Sequence, residues 1–554
     1  MKKLKGLGNR AYNVMFHTHT VAGIVISFAL FVIFYAGSFT LFYHEIIQWE
    51  NHDMRQELVA DADLDRALDK LDSTYTLDHT KRVNVYFPNE HEPLIKIYAQ
   101  ERTSDSTTEF LGAYYNPLND SLYDRTEAKT TVGNTLYGLH YFSQIPVVGL
   151  YLAGLVGLFF LFASVTGVLV HWRNLLTKFY GFVKEGKWKQ IWTHAHTVLG
   201  VIGLPFQIIY AITGAYFGLT ILLLLPVVFL MYDGKVENVY SKIIPFYGVE
   251  VDAEAPFSEN LSIMELSHRI SAEYPDHKFY RAQVYNYGKE DAIILFAMDD
   301  QKGIQSGGSI VMDMKDGKIR EEYSQFPQER TYTIAVISYL TKLHFANFGG
   351  FFMKVVYFIL SMITCFMIIS GVLLWRTARD NKRYTYKQRL FHHRVTKVYL
   401  AICLSMFPAV ALLFITNKLV PMEMVERTGL VEQIFFLSWL ALTILGLFWN
   451  KYSEQNRNYL ILGGLLSLCI PIANGAVTGD WIWKVWDTLP WVAYVDIFWI
   501  FAGFTALYLS FFVLKVKEGS DKPQAEGEQE KVREKSLKYP TAKDLVLKAK
   551  SVFF

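Results

Sequence analysis

The stretch His17-Thr18-His19-Thr20-Val21-Ala22-Gly23 returns as His194-Ala195-His196-Thr197-Val198-Leu199-Gly200, identical at five of seven positions. Each copy is followed fourteen residues later by another glycine, Gly37 and Gly214. A second pair aligns without gaps: Leu139-His140 through Thr166-Gly167-Val168-Leu169 against Leu343-His344 through Ser370-Gly371-Val372-Leu373. Anchors repeated in one order read as an internal duplication of a helix, an outer segment and a second helix.

Helix geometry gives the repeat a chemical meaning. At about 100° per residue, Gly23 lies about 40° from His19, and Gly37 returns to the His19 azimuth. His196, Gly200 and Gly214 repeat the pattern. Each histidine thus heads a glycine-paved stripe, where a flat ligand or another helix can approach the backbone. His17 and His194 point about 200° away, so the two histidines of one H-x-H cannot share a ligand within a regular helix.

The chain around these motifs is 52% hydrophobic and 19% charged over 554 residues. It is too apolar for an ordinary soluble enzyme and too charged to be wholly membrane-embedded. A net charge of +2 offers no basic field for nucleic acid. Eight stretches are apolar enough to cross a hydrocarbon core of about 30 Å: roughly 20–42, 147–170, 197–230, 351–375, 398–416, 433–449, 459–474 and 492–514. The third is over-long and carries Pro205 and Pro226, which predicts a tilt, kink or break. The run from Val21 to Phe42 is too long for a signal-peptide core and reads as a retained first span.

Basic residues set the sidedness. Segment 172–193 holds Arg173, Lys178, Lys184, Lys187 and Lys189 against Glu185 alone, and segment 376–397 holds eight Lys or Arg against Asp380 alone. Both read as cytoplasmic, together with the start of the N-terminal segment 1–44 and the tail 516–554. Polar segments 45–135 and 235–340 then lie on the opposite face. Each opens with helical periodicity and continues with strand-like alternation, as in Arg82-Val83-Asn84-Val85-Tyr86 and Ile293-Ile294-Leu295-Phe296. They predict two small α+β domains. The remaining divisions are 136–234 (second and third spans with the basic loop), 341–380 (fourth span) and 381–515 (four further spans).

Cys365, Cys403 and Cys469 each stand alone, and no C-x-x-C-H occurs, so any redox cofactor must be held without cysteine. Imidazole nitrogen is a usual axial ligand of b-type haem. His19 with His196 would serve the cytoplasmic side, and His140 with His344 the outer side. The same nitrogens also suit zinc or copper. His171, one turn after Gly167 and opposite Trp375 in the repeat, is either a substitute inner ligand or an interfacial residue. His17 and His194 are weaker candidates. His44 reads as structural, His392 and His393 as solvated or facing lipid phosphate, and His52, His79, His91, His268 and His277 as surface. Neither a dinucleotide-binding nor a phosphate-loop motif is present. The tail 516–554 is too short for a flavin or nicotinamide domain. Electrons would come from quinol or a separate cytoplasmic donor.

On these motifs the chain resembles the PepSY-associated transmembrane family of bacterial inner-membrane proteins, which includes iron-regulated and ferric-siderophore reductase members. The carriers are His19/Gly23, His196/Gly200, the Leu-His openings at His140 and His344, and the span ends at Gly167 and Gly371. The resemblance covers about residues 10–380; residues 258–317 look like a PepSY domain, and 60–122 match more loosely. It implies an all-α polytopic membrane bundle with two small α+β PepSY-like periplasmic domains. It further implies two haem b groups passing electrons to a periplasmic ferric siderophore, and it names no catalytic residue. Two departures stand out: His171 where the family often has Trp, and spans five to eight, which lie outside the family pattern. Competing readings are a transporter of iron, copper or a siderophore, and a membrane-anchored PepSY binding or regulatory module.

Overall fold

The computed structural model describes residues 8–52, 55–90, 92–102, 107–124, 131–174, 188–243, 246, 249, 251–252, 254–300, 306–327, 331–513 and 521–523. Lys2, Lys3, Lys5, His91, Lys178, Lys184, Glu185, Lys187 and nearly all of the tail lie outside the described residues. Eight helices are long and apolar enough to span a membrane: Asn9–Thr40, Val148–His171, Leu204–Met231, Gly350–Arg379, Tyr386–Leu419, Arg427–Gly446, Tyr452–Thr478 and Pro490–Val513. They overlap the expected stretches, and several run past them because polar end residues continue the helix. The fifth, for example, begins at a capping box in which the Thr385 and Gln388 side chains each bond the other's backbone N–H.

The over-long third stretch is broken. A helix over Trp188–Ile202 ends at Gly203, and the third span restarts at Leu204 with Pro205 in its first turn, where a missing N–H costs nothing. Pro226 sits within the continuing helix. The first span has no such break. Thus His194 and His196 stand before the interruption and Gly214 after it, while His19 and Gly37 share one helix.

The two polar segments do not form separate sheets. The first contributes β1 (Val83–Tyr86), β2 (Ile95–Arg102), β3 (Thr108–Asn116) and β4 (Ser121–Asp124); the second contributes β5 (His277–Tyr285), β6 (Ile293–Asp300) and β7 (Ser306–Asp313). All seven join one antiparallel sheet in the order β4-β3-β2-β1-β5-β6-β7. The seam is β1 against β5, with Val83 opposite Val284 and Val85 opposite Ala282. Left apart, each half would present an open strand edge at the seam; pairing them removes both. The expectation of two small domains is therefore corrected to two halves of one.

The helices Leu64–Thr74 and Ile263–Glu273 supply apolar residues to the core of this sheet. Leu64, Leu68, Leu71, Leu266 and Ile270 are buried with Val85, Ile97, Val284 and Phe296. β1 and β2 alternate buried and half-buried positions, as antiparallel strands covered on one face do. The second helix also needs the first half: the Asp65 carboxylate accepts hydrogen bonds from Ile263 N at 2.8 Å and Met264 N at 3.3 Å, capping it from the other helix.

Two short helices, Val132–His140 and Tyr332–Phe345, lead from the sheet into the second and fourth spans. Left-handed residues turn the chain between them and the spans, Phe142 (φ 60°) and Val147 (φ 64°) in one connection and Ala346 (φ 55°) in the other. His140 and His344 therefore lie on these short helices and not on the spans that follow.

Candidate metal centres

The four repeated histidines come together as two pairs. His19 on the first span faces His196 on the helix Trp188–Ile202, with ring centroids 6.1 Å apart and planes at 61°. His140 faces His344 with centroids 6.0 Å apart and planes at 49°. These are the partners that the repeat predicts. Along the first span, His19 and Ile33, whose carbonyl receives His140, are fourteen residues apart. At 1.5 Å rise per residue, the two pairs are separated by about 20 Å along the helix axis.

Each imidazole is held through Nδ1. His19 donates to the Ala163 carbonyl at 2.8 Å, His196 to the Met367 carbonyl at 2.9 Å, and His140 to the Ile33 carbonyl at 2.9 Å. His344 donates to Thr213 Oγ1 at 2.8 Å, and that hydroxyl spends its own hydrogen on the Ile209 carbonyl at 2.8 Å. These acceptors require a proton on Nδ1, and in a neutral ring that fixes the tautomer. Nε2 then keeps its lone pair, as in histidines that ligate a metal while a second partner fixes the tautomer.

Glycines make room for the rings. A Cβ on Gly167 would lie 3.1 Å from His19 Cε1, one on Gly371 2.9 Å from His196 Cε1, and one on Gly37 would collide with His140 Nδ1. Gly167 and Gly371 are visible in the sequence as repeat anchors, but their use as imidazole seats is not. The carbonyl partners are not visible at all, because a backbone acceptor has no residue-type signature. Gly23, Gly200 and Gly214 meet nothing within 4 Å, so open space lies beside them. Gly37 and Gly214, expected to be equivalent, thus differ: one seats an imidazole and the other faces space. On the sheet side that space belongs to a cavity of about 210 Å³ lined by His140, His344, Gly37, Gly154, Gly214 and Tyr210.

This donor set suits a planar macrocycle better than a bare ion. A metal–imidazole bond is about 2 Å long, and the ring radius adds roughly another 1 Å, so two rings on opposite sides of one metal have centroids about 6 Å apart. Among the described residues, no group of three His, Cys, Asp or Glu side chains is placed to hold a metal. Zinc ordinarily takes three or four protein ligands, whereas a porphyrin brings its own equatorial nitrogens and asks only for two axial ones. The residues present fit haem.

Residues 16–378, about two thirds of the chain, match the family described as PepSY-associated TM region. The chain belongs to that family. No curated protein matches it. In this PepSY-associated membrane protein, the family region ends in the last turn of the fourth span, so both histidine pairs fall within it and spans five to eight lie beyond it.

The other histidines of the PepSY-associated chain take separate roles. His17 is exposed, and the buried Nδ1 of His194 has no hydrogen-bond partner. Neither joins the ring pair beside it. His171 lies within electrostatic reach of His196, at the edge of the His19/His196 pair. His44 meets Glu92 at 3.5 Å, His52 meets Asp480 at 2.8 Å, and His79 meets Asp72 at 3.0 Å. His52 thereby ties the sheet side to the loop before the eighth span. His393 departs from expectation: it is 6% exposed and hydrogen-bonded to the Tyr452 hydroxyl at 2.6 Å, packed between spans instead of facing water. His392 packs edge-on against Trp375.

Proposed function

We propose that this protein is a bacterial inner-membrane di-haem b electron-transfer protein that reduces a ferric chelate, of the siderophore class, in iron acquisition. The sheet would lie in the periplasm and both termini in the cytoplasm. The observation that carries this reading is the pair of facing imidazole sets, each with Nδ1 already bonded and Nε2 left for a metal.

Haem b at each pair would supply a one-electron ferric/ferrous couple, and holding by two imidazoles would suit electron transfer. His19 and His196 would hold the group on the side of the basic loops; His140 and His344 would hold the other. The carbonyls of Ala163, Met367 and Ile33 and the Thr213 hydroxyl fix the tautomer and the orientation of the rings. Gly23, Gly200 and Gly214 leave the adjacent space clear. Phe34, Tyr210 and Phe217 wall the outer site. Electrons would enter from quinol or a separate cytoplasmic donor and leave toward a chelate on the sheet side.

Proteoliposomes carrying a quinol donor, with a ferric siderophore and a ferrous-specific chromophore present, test the reading. Chromophore formation that depends on both His19 and His344 supports it. Rates equal to protein-free vesicles would contradict it.

A further inference from the structure

We propose that Glu50 is a proton-binding site, reached from a cavity on the sheet side, that holds the helix ending in His140. The four additional spans help to build this site, which stands whatever the histidine pairs bind.

Glu50 ends the helix Tyr43–Glu50 and is 2% exposed. Its Oε2 accepts hydrogen bonds from Val132 N at 2.6 Å, Thr131 N at 3.2 Å and Asn417 Nδ2 at 3.4 Å. The first two are at the N-terminus of the nine-residue helix Val132–His140, where the backbone dipoles favour a negative charge. Its Oε1 is buried and has no hydrogen-bond partner. Neither has Asn51 Oδ1 nor Asn417 Oδ1, both on buried side chains in the same cluster. The amide nitrogens fix which atoms are oxygens: Asn51 Nδ2 donates to the Ile47 carbonyl at 3.0 Å, and Asn417 Nδ2 donates to Thr131 Oγ1 and Glu50. Three buried acceptors without a hydrogen are costly. A proton on Glu50 Oε1 is the smallest addition that turns one of them into a donor.

The charges packed around Glu50 oppose one another. From the fifth span, Lys418 donates to the Trp49 carbonyl and lies 4.1 Å from the Trp49 ring centroid. From the sixth, Arg427 donates to the carbonyls of Asn417 and Val420, and Glu432 accepts from Thr135. From the eighth, Asp496 accepts from Trp49 Nε1 at 2.8 Å and from Asn474 Nδ2 of the seventh at 2.9 Å. In the loop between those two spans, Asp480 binds Arg55 and His52. On Glu50's own helix, Glu45 is paired with Lys354 of the fourth span at 2.8 Å. Burial favours the neutral acid, while the helix amides, Lys418 and Arg427 favour the anion. The balance leaves the carboxyl pushed up to about 7, within reach of a physiological pH change.

A cavity reaches the residue next to Glu50. A cavity of about 320 Å³ between the sheet and the start of the eighth span is lined by Gln48, Asn51, Arg55, Glu57, Glu90 and Glu92. Asn51, the residue next to Glu50, is in its wall. When ionised, Glu50 grips the helix N-terminus with charge-assisted bonds; when protonated, it grips more weakly. Proton occupancy is thereby linked to the hold on His140 at the far end of the same helix.

Infrared difference spectroscopy of the full-length protein, labelled with ¹³C-glutamate and titrated across neutral pH, tests this. The expected result is the carbonyl stretch of a protonated glutamic acid, isotope-shifted, present below neutral pH and lost above it. Glu50→Gln removes the band, and Glu50→Asp keeps a carboxyl band that no longer carries the glutamate label. Absence of a titrating glutamate band in the unaltered protein, or its survival in either variant, would overturn the proposal. If Glu50→Gln fails to fold, the unaltered protein and Glu50→Asp still decide it.

Discussion

A methyl group placed on Gly371 would lie 2.9 Å from Cε1 of His196, closer than real Cβ atoms come to a neighbour, so the imidazole fits there only because the fourth span carries no side chain at that point. Gly37 stands in the same relation to His140 at the other pair. These contacts separate the two candidate centres experimentally. Gly371→Ala is expected to displace His196 and abolish the His19/His196 centre alone, and Gly37→Ala the His140/His344 centre alone. Measurement of bound haem per chain should show each variant losing one of the two groups, and the double variant losing both.

Gly200 and Gly214 predict the opposite kind of failure. A Cβ there meets no protein atom within 4 Å, so Gly200→Ala and Gly214→Ala should leave expression and thermal unfolding close to those of the parent. They should nevertheless lower haem retention, because the added side chain takes space a cofactor would use. Comparing unfolding midpoints of cofactor-free preparations with haem content separates this effect from misfolding.

The single sheet makes the two polar segments mutually dependent. Asp65→Ala removes the side-chain acceptor for Ile263 N and Met264 N, and losing such a cap costs about 1 kcal/mol. Hydrogen exchange should accelerate at the start of the helix Ile263–Glu273, 198 positions along the chain from Asp65 but adjacent to it in space. Unchanged exchange there would show that the halves are independent.

The junction at Glu92 sets an acid limit. Burial alone would raise this carboxyl, but hydrogen bonds and charges from His44 and Lys96 hold it at about 2. A carboxyl depressed on folding stabilises the fold above its unfolded value, about 4.3, and loses that contribution as pH falls toward the folded value. Unfolding midpoints should therefore decline between about pH 4 and about pH 2. Glu92→Gln should flatten that part of the decline.

What is legible in the sequence and what is hidden follow from the range of the interactions. Spans are legible because length and apolarity are local properties, and the histidine pairs because a repeated motif marks equivalent positions. Pro205 signals the interruption of the third stretch, though not its consequence that His196 and Gly214 fall on different helices. The seam between Val85 and Ala282 is hidden, since pairing between distant strands leaves no local mark. His393 misleads for a related reason: its basic neighbours suggest water, while Tyr452, 59 residues on, bonds it inside the bundle. Spans five to eight offer no motif, and their buried Lys418, Arg427 and Asp496 acquire meaning only beside Trp49 and Glu50.

The central claim is that facing imidazoles at two depths each hold haem. A reduced-minus-oxidised absorption spectrum of the purified protein, with haem quantified per chain, addresses it most directly. The predicted result is a b-type spectrum with two haems per chain, one lost in His19→Ala and the other in His344→Ala. A colourless preparation from haem-replete cells, or a spectrum untouched by both substitutions, would contradict it.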